Sequence, residues 1–452
     1  MSAPTADVAR PVRVGLRQAA AALRHRNFAL FWWSALVSNT GSWVQNVTVP
    51  FVLFELTGSA AWVGFASFAQ FVPFVVVGPL AGSLADRVPR RRLLLITQSL
   101  MALGATGLWA VWAAGVRSPG VLVGVVAIVG IVAGLTIPSW QAFVSELVPR
   151  STLLNAVTLN SAQFNASRAL GPALGGVILA TLGPSWAFAL NALSFGAVII
   201  GLSLIRVPLL VPSGGAARPR VLREFAGTIR YTRARPGIWT CVVVVSAIGL
   251  LGSPVFSLVV VFAEEVFDVG RGLYGLLGAC LGIGSVIGAP LVAGWGGGIS
   301  RGRLAAMALV AYGIAVAGFG LAPGYWLGAA ALLAAGAMYL ALSSALNTTV
   351  QLQVDESMRG KVIGLYLMGL TAAVPVGSLV QGWLADVVGP RPTVAVSGAL
   401  LVAVAVLFRH QDRFTSMDEC GSPSGSEAGG DDGASGVIGG ADVLAPGVAP
   451  VE

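Results

Sequence analysis

The sequence predicts an all-α integral membrane protein of twelve transmembrane helices in two six-helix halves, and three observations carry that expectation. Of its 452 residues 56% are hydrophobic and only 10% charged, where soluble domains hold roughly a quarter charged residues. Apolar runs of about 20 residues or more recur along the chain, each long enough to cross a ~30 Å hydrocarbon core as a helix. Open strands would leave backbone groups unpaired in lipid, so helices are the expected spans. The basic residues, finally, cluster in alternate connections between these runs.

The spans read in order as follows. Span one, 28–54, closes at Gly58-Ser59. Span two, 61–84, ends in Gly78-Pro79-Leu80-Ala81-Gly82 and an arginine loop. Span three, 92–114, stops before Ser118-Pro119, which opens span four, 119–143. Span five, 156–181, and span six, 184–206, meet at Gly183-Pro184. After the longest internal break come spans seven to ten at 237–262, 271–295, 302–322 and 325–349. Spans eleven, 360–384, and twelve, 390–408, are parted by Gly389-Pro390. Such glycine-proline and serine-proline pairs are turn signals.

Of 27 basic side chains, Arg117, Arg271 and Arg391 fall in one set of connections and Arg168 inside a span; the other 23 share the opposite set. Cytoplasmic loops carry the excess of arginine and lysine, so both termini and the central loop are expected in the cytoplasm, which requires an even number of spans. The organisation expected is a cytoplasmic segment at 1–27, a first half at 28–206, a linker at 207–236, a second half at 237–408 and a disordered acidic tail at 409–452, whose composition offers little apolar surface to offset ordering entropy. The linker's basic, helical-looking stretch from Val221 to Arg235 is read as a solvated element on the anionic inner leaflet. The halves share a faint likeness: Pro290-Leu291-Val292-Ala293-Gly294 in span eight echoes the end of span two, and Pro375-Val376-Gly377-Ser378 in span eleven lies at the depth of the span-five glycines. Parallel six-helix repeats with a site between them are a common transporter plan.

Several function classes are excluded. A net charge of +8 could mark a nucleic-acid surface, but its arginines sit between apolar spans, and no nucleic-acid partner is expected. Cys241, Cys280 and Cys420 lack CxxC spacing, so neither a disulfide framework nor a metal site is indicated. The first 24 residues lack an apolar signal-peptide core. Gly360-Lys361 is followed by Val362, not by the serine or threonine of an ATP-binding phosphate loop. His25 and His410 lie outside the spans, leaving no base for a membrane-embedded nucleophile. No enzyme activity and no cofactor are expected.

Arg168 is the one cation inside a span. Placing arginine at a helix centre costs about 2.5–3.5 kcal/mol on insertion scales, which makes it a functional candidate. Ser161, Asn165 and Arg168 share one helix face by spacing, which should line a cavity for a small-molecule substrate or meet another polar helix. Further cavity candidates are Gln45 and Asn46 in span one, Gln70 in span two, Trp140 and Gln141 in span four, and Tyr339, Ser343 and Asn347 in span ten. Bonds between helices use the same residue types. Gly171-Pro172-Ala173-Leu174-Gly175-Gly176 in span five reads either as a close-packing surface or as a hinge.

The segment Gly82-Ser83-Leu84-Ala85-Asp86-Arg87-Val88-Pro89-Arg90-Arg91-Arg92 resembles the signature loop of the major facilitator superfamily, departing from it at Pro89, where the family has glycine. The chain resembles in particular the branch of enterobactin exporters and macrolide efflux proteins, through Ser38-Asn39-Thr40-Gly41-Ser42-Trp43-Val44-Gln45, Glu55-Leu56-Thr57-Gly58-Ser59, the span-five glycine run and Arg359-Gly360-Lys361-Val362. The resemblance implies a monomeric secondary exporter in the inner membrane that moves a lipophilic or siderophore-like compound by alternating access, driven by an ion gradient with the proton as the expected ion. An importer, or a non-transporting receptor of the same fold, is the alternative. It also implies a conformational latch at Gly82, Asp86, Arg87, Arg90 and Arg91, with Asp86 facing the positive N-terminus of span eleven, a contact worth roughly 0.3–1 kcal/mol when exposed. None of the 19 acids falls at mid-span, so the coupling group is open between Glu55, Glu264 or Glu265, a proton carried by the substrate, and indirect coupling.

Overall fold

The computed structural model describes residues 20–85, 88–206, 221–295 and 298–418, and among these it is helical without strands. The first half holds α1 (Arg26–Thr57), α2 (Ala60–Ala85), α3 (Arg90–Ala113), α4 (Pro119–Val144), α5 (Leu153–Thr181) and α6 (Pro184–Leu204). A short helix, α7 (Val221–Arg233), precedes the second half. That half holds α8 (Pro236–Val266), α9 (Arg271–Trp295), α10 (Arg301–Leu321), α11 (Tyr325–Gln353), α12 (Arg359–Val388) and α13 (Pro390–His410). Each expected span is a helix, with ends displaced by no more than about a turn.

Of the twelve long helices, ten are apolar enough over their described residues to cross a membrane on length and composition alone; α1 and α5 are not. Several of their polar side chains face each other. Asn39 donates to the Gln163 side chain at 3.3 Å, Gln163 to Ser167 at 3.2 Å and Thr40 to Ser167 at 3.3 Å, while the Trp32 indole donates to the Leu159 carbonyl at 2.8 Å. Gln163 is 1% exposed at this seam. On its other side α1 meets α6, where Asn191 donates to Gln45 at 2.6 Å. Polar groups in a bilayer find partners on neighbouring helices, and here α1 and α5 compensate for each other's low hydropathy.

In the second half α8 changes winding twice, at Ile248–Gly252 and Phe262–Val266, where the backbone closes wider turns such as Ser253 N to Ile248 O at 2.8 Å. Pro254 has no N–H to offer the carbonyl one turn back. The amide of Gln381 from α12 takes that place, donating to the Leu250 and Leu251 carbonyls at 2.9 and 3.0 Å.

Within the first half α1 packs on α5 and α6, and α3 on α4 and α6; within the second, α11 packs on α9 and α10, and α10 on α13. The halves meet along two helix pairs, α2 with α12 and α5 with α9. α7 docks on the second half, where Arg235 just beyond it pairs with Asp355 at 2.7 Å and stacks over Tyr231, and Tyr231 Oη accepts from the Asp355 N–H at 3.1 Å.

The tail departs from expectation. Order continues past 409 through Asp418: Phe414 and Met417 are buried, Gln353 donates to the Ser416 carbonyl at 2.8 Å, and Asp418 accepts from the Gly302 N–H at 3.0 Å at the start of α10. Two apolar side chains three residues apart give this polar stretch one buried face. Residues 419–452, like 1–19 and the 207–220 part of the expected linker, lie outside the described residues.

Candidate functional site

One face of the molecule carries the start of α1, the end of α13 and the arginine-rich connections; it is the basic face. The other is arginine-poor. Successive spans alternate between them, so the ends of α1, α5, α8 and α12 and the starts of α2 and α9 share the arginine-poor face.

On that face the halves are bonded together. Asp386, in the last turn of α12, accepts from Ser59 Oγ at 2.5 Å, from the Ala60 N–H at 2.6 Å and from the Ala61 N–H at 3.1 Å. It thereby caps the N-terminus of α2 across the two halves, the place where unsatisfied N–H groups and the positive end of the helix dipole favour a carboxylate. Arg271, opening α9, pairs with Glu55 near the end of α1 at 2.7 Å, both side chains about 40% exposed at 39% and 43%. The pair borders a 410 Å³ cavity shared with Phe51, Glu264 and Asp268. Deeper, Tyr274 donates to the Val47 carbonyl at 2.8 Å and Ser67 shares a hydrogen with Ser257 at 2.7 Å. The direct hydrogen bonds that join the halves here, Ser59, Ala60 and Ala61 to Asp386, Ser67 to Ser257, Arg271 to Glu55 and to the Leu179 carbonyl, and Tyr274 to the Val47 carbonyl, all belong to this arginine-poor part.

Backbone proximity completes the closure. A Cβ on Gly64 would stand 2.2 Å from the Ser378 carbonyl oxygen, one on Gly382 2.6 Å from that of Ala60, and one on Gly176 2.5 Å from the Gly275 Cα. The span-five run is divided between two neighbours: Gly171 and Gly175 face Trp43 and Val47 of α1, whereas Gly176 and Pro172 face Gly275 and Gly278 of α9.

At mid-depth, Arg168 lies near the middle of α5 and Tyr339 at the middle of α11. The guanidinium lies 5.3 Å from the Tyr339 ring centroid and 5.9 Å from that of Trp43, so it touches aromatic faces from both halves. Its Nε is buried without a hydrogen-bond partner, and none of the ion pairs among the described residues includes it. Phe256 and Phe164 flank Trp43 at 5.5 and 6.1 Å, and Tyr312 flanks Tyr339 at 6.1 Å.

The remaining candidates separate. Gln45 is buried and bonded to Asn191, a seam residue of the first half and not a cavity wall. Gln70 donates to Asn46 at 3.2 Å, joining α2 to α1. Asn165 is turned back onto its own helix, donating to the Ser161 carbonyl at 2.9 Å, and Asn347 accepts from Gln351 within α11. Gln141 is exposed near the basic end of α4. Of the latch residues, Gly82 is in the last turns of α2, and Asp86 and Arg87 lie outside the described residues. Arg90 and Arg91 do not bridge the halves. Arg90 pairs with Glu146 at 2.6 Å, and Arg91 donates to the Leu202 and Ser203 carbonyls at 2.7 Å each, a cation on the negative end of α6. Sequence reasoning missed Asp386 and Trp43. The serine after the Gly58 turn was a signal for a helix N-terminus needing a cap, but nothing local named its partner.

A family model described as "Transmembrane secretion effector" matches residues 17–427. Among curated proteins, the chain is 27% identical over 397 residues to the enterobactin exporter EntS of Citrobacter koseri, covering 85% of this chain and 91% of that protein. It is 25% identical over 412 residues to the multidrug efflux pump Tap of Mycolicibacterium fortuitum, covering 87% and 98%. Among solved structures, the bacterial homologue of the human lysosomal transporter Spinster superposes with a TM-score of 0.69 at 15% identity, covering 88% of this chain and 99% of that one. A bacterial homologue of the iron transporter ferroportin gives 0.68 at 16%, covering 85% and 98%.

Proposed function

We propose that this chain, which belongs to the transmembrane secretion effector family of the major facilitator superfamily, exports a lipophilic or siderophore-like small molecule from the cytoplasm by alternating access, as a proton-coupled monomer of the inner membrane. The observation that carries the reading is the closed joint between the halves on the arginine-poor face, made by the Asp386 cap, the Glu55–Arg271 pair and the Gly176–Gly275 backbone contact. With the basic face cytoplasmic, as the arginine distribution favours, the site around Arg168 is loaded from inside. The exporter names of the relatives support the direction.

Export then requires the Asp386 cap and the Glu55–Arg271 pair to part while the basic ends of the same helices close. Asp86, at the other end of α2, is the group we assign to that second closure, against the start of α12. Each of these two helices would carry an acid at its C-terminal end for the N-terminus of the other, so that one cap is made in each state. A latch of this scale biases two states without freezing either.

The test is flux in vesicles reconstituted with the purified protein, with siderophores and lipophilic dyes as cargo and the pH gradient and membrane potential dissipated separately. Export predicts cargo movement from the basic face that collapses with the pH gradient. Uptake in the opposite direction, or no gradient-dependent flux, overturns the reading.

A further inference from the structure

The middle of the molecule holds a guanidinium that no ion pair among the described residues includes. Arg168 is flanked by a ring from each half, its Nε is buried without a partner, and the polar neighbours on its own helix are committed elsewhere: Asn165 to the Ser161 carbonyl, Gln163 to Asn39 and Ser167. The acids among the described residues stand toward the helix ends or in connections; Glu55, Glu264 and Asp386 belong to the arginine-poor end. A cleft with one sign of charge and low-dielectric walls focuses ions of the opposite sign. The planar guanidinium fork matches carboxylate geometry and stacks on aromatic faces.

We infer that Arg168, lying over Trp43 of the first half and Tyr339 of the second, is the anion-binding group for planar aromatic compounds carrying a carboxylate or similar delocalised anion. The rings supply the walls: Phe256 beside Trp43 comes from the second half and Tyr312 stands beside Tyr339, so an aromatic guest has π-faces on both sides of the joint. Because the two rings belong to different halves, the guest touches both bodies at once, and a rocking motion that separates Trp43 from Tyr339 would loosen it. The inference rests on the export reading for its physiological meaning but not for its binding claim.

The experiment uses the full chain in lipid nanodiscs, with empty nanodiscs as the partition control. Benzoate, 2-naphthoate and pyrene-1-carboxylate are each compared with the aryl-methylammonium compound of the same ring system, binding being read by calorimetry and tryptophan quenching. We expect at least one carboxylate to bind ten-fold or more tightly than its ammonium partner. Arg168→Gln should lower that affinity at least ten-fold and abolish the preference for the anion, while Arg168→Lys, which keeps the charge and guards against a folding failure, should retain the preference at reduced affinity. Trp43→Leu should weaken both members of a pair by similar factors. Carboxylates that bind no better than the ammonium compounds, or that bind Arg168→Gln unchanged, overturn the inference. Binding through Arg168 without flux under any gradient sinks the export reading alone, whereas flux of cargo indifferent to Arg168→Gln sinks the substrate class alone.

Discussion

Asp386→Ala should open the arginine-poor face. The carboxylate accepts three hydrogen bonds, at 2.5, 2.6 and 3.1 Å, from the first residues of a helix in the opposite half. Removing a cap acceptor costs about 0.5–2 kcal/mol, and losing a charge from a helix N-terminus adds roughly 0.3–1 kcal/mol at an exposed site. Asp386 is exposed, the case to which the second range applies, and the middle of the two ranges sums to about 2 kcal/mol. At 1.4 kcal/mol per factor of ten this is about 30-fold in the ratio of open to closed molecules. Asp386→Asn keeps an acceptor and loses the charge, which limits its effect to about five-fold. The reporter is Ser378→Cys in a chain whose three native cysteines are replaced by serine. Ser378 is 2% exposed and its carbonyl packs on Gly64 between α2 and α12, so an impermeant maleimide reaches the thiol only when these helices separate. The labelling rate from the arginine-poor side should rise about 30-fold with Asp386→Ala and several-fold with Asp386→Asn. A rate unchanged within two-fold by the alanine variant refutes the latch.

Glu55→Gln should raise the same labelling rate by no more than about five-fold, because a half-exposed ion pair is worth up to about 1 kcal/mol, and 1 M salt should abolish the difference from wild type. Gly176→Ala places a methyl 2.5 Å from the Gly275 backbone, an overpacking worth about 1–3 kcal/mol; thermal unfolding followed by size-exclusion chromatography should shift downward, while Gly124→Ala, with nothing within 4 Å of the added carbon, should leave it in place. A chain stopped after residue 413 loses buried Phe414 and Met417, each worth about 1.5–3 kcal/mol at most, and should melt lower than one stopped after residue 419, which should match the full chain.

The twelve helices were legible because lipid demands runs of about 20 apolar residues, and even polar α1 and α5 stood out between turn signals. What those polar residues do was not legible. Gln45 and Arg168 are both polar side chains in apolar surroundings, yet one completes a seam within a half and the other faces the joint between halves; only knowing which helices are neighbours distinguishes them. Asp386 was hidden for a related reason: its partners lie 327, 326 and 325 residues away, and no periodicity spans that distance. Pro254 interrupts the bonding of α8, and its repair by Gln381 from α12 had no local trace. The folded start of the tail rested on two apolar residues in a polar run, too few to register as composition.

These differences bear on which parts of the molecule move. The bonds tying α1 to α5 and α6 are buried or partly buried, and each interhelical hydrogen bond is worth about 0.6 kcal/mol on average and up to about 1.7. Those joining the halves at the outermost level, around Asp386 and Arg271, are half-exposed and can exchange with water. Deeper, the joint is largely backbone against backbone: Gly176 on Gly275, Gly64 on the Ser378 carbonyl, Gly282 against Ala169. Surfaces without projecting side chains can slide or part without unlocking rotamers, whereas the Asn39–Gln163–Ser167 chain would have to be broken outright. The weak surface therefore runs between the halves, and the span-five glycines gain a more specific role than a bend in the helix. Gly171 and Gly175 fix α5 to α1, while Pro172 and Gly176 give α9 a smooth face to bear on. On the alternating-access proposal, α5 would travel with its own half as a rigid member, and opening on either side would turn the halves about the contact of α5 with α9 and of α2 with α12.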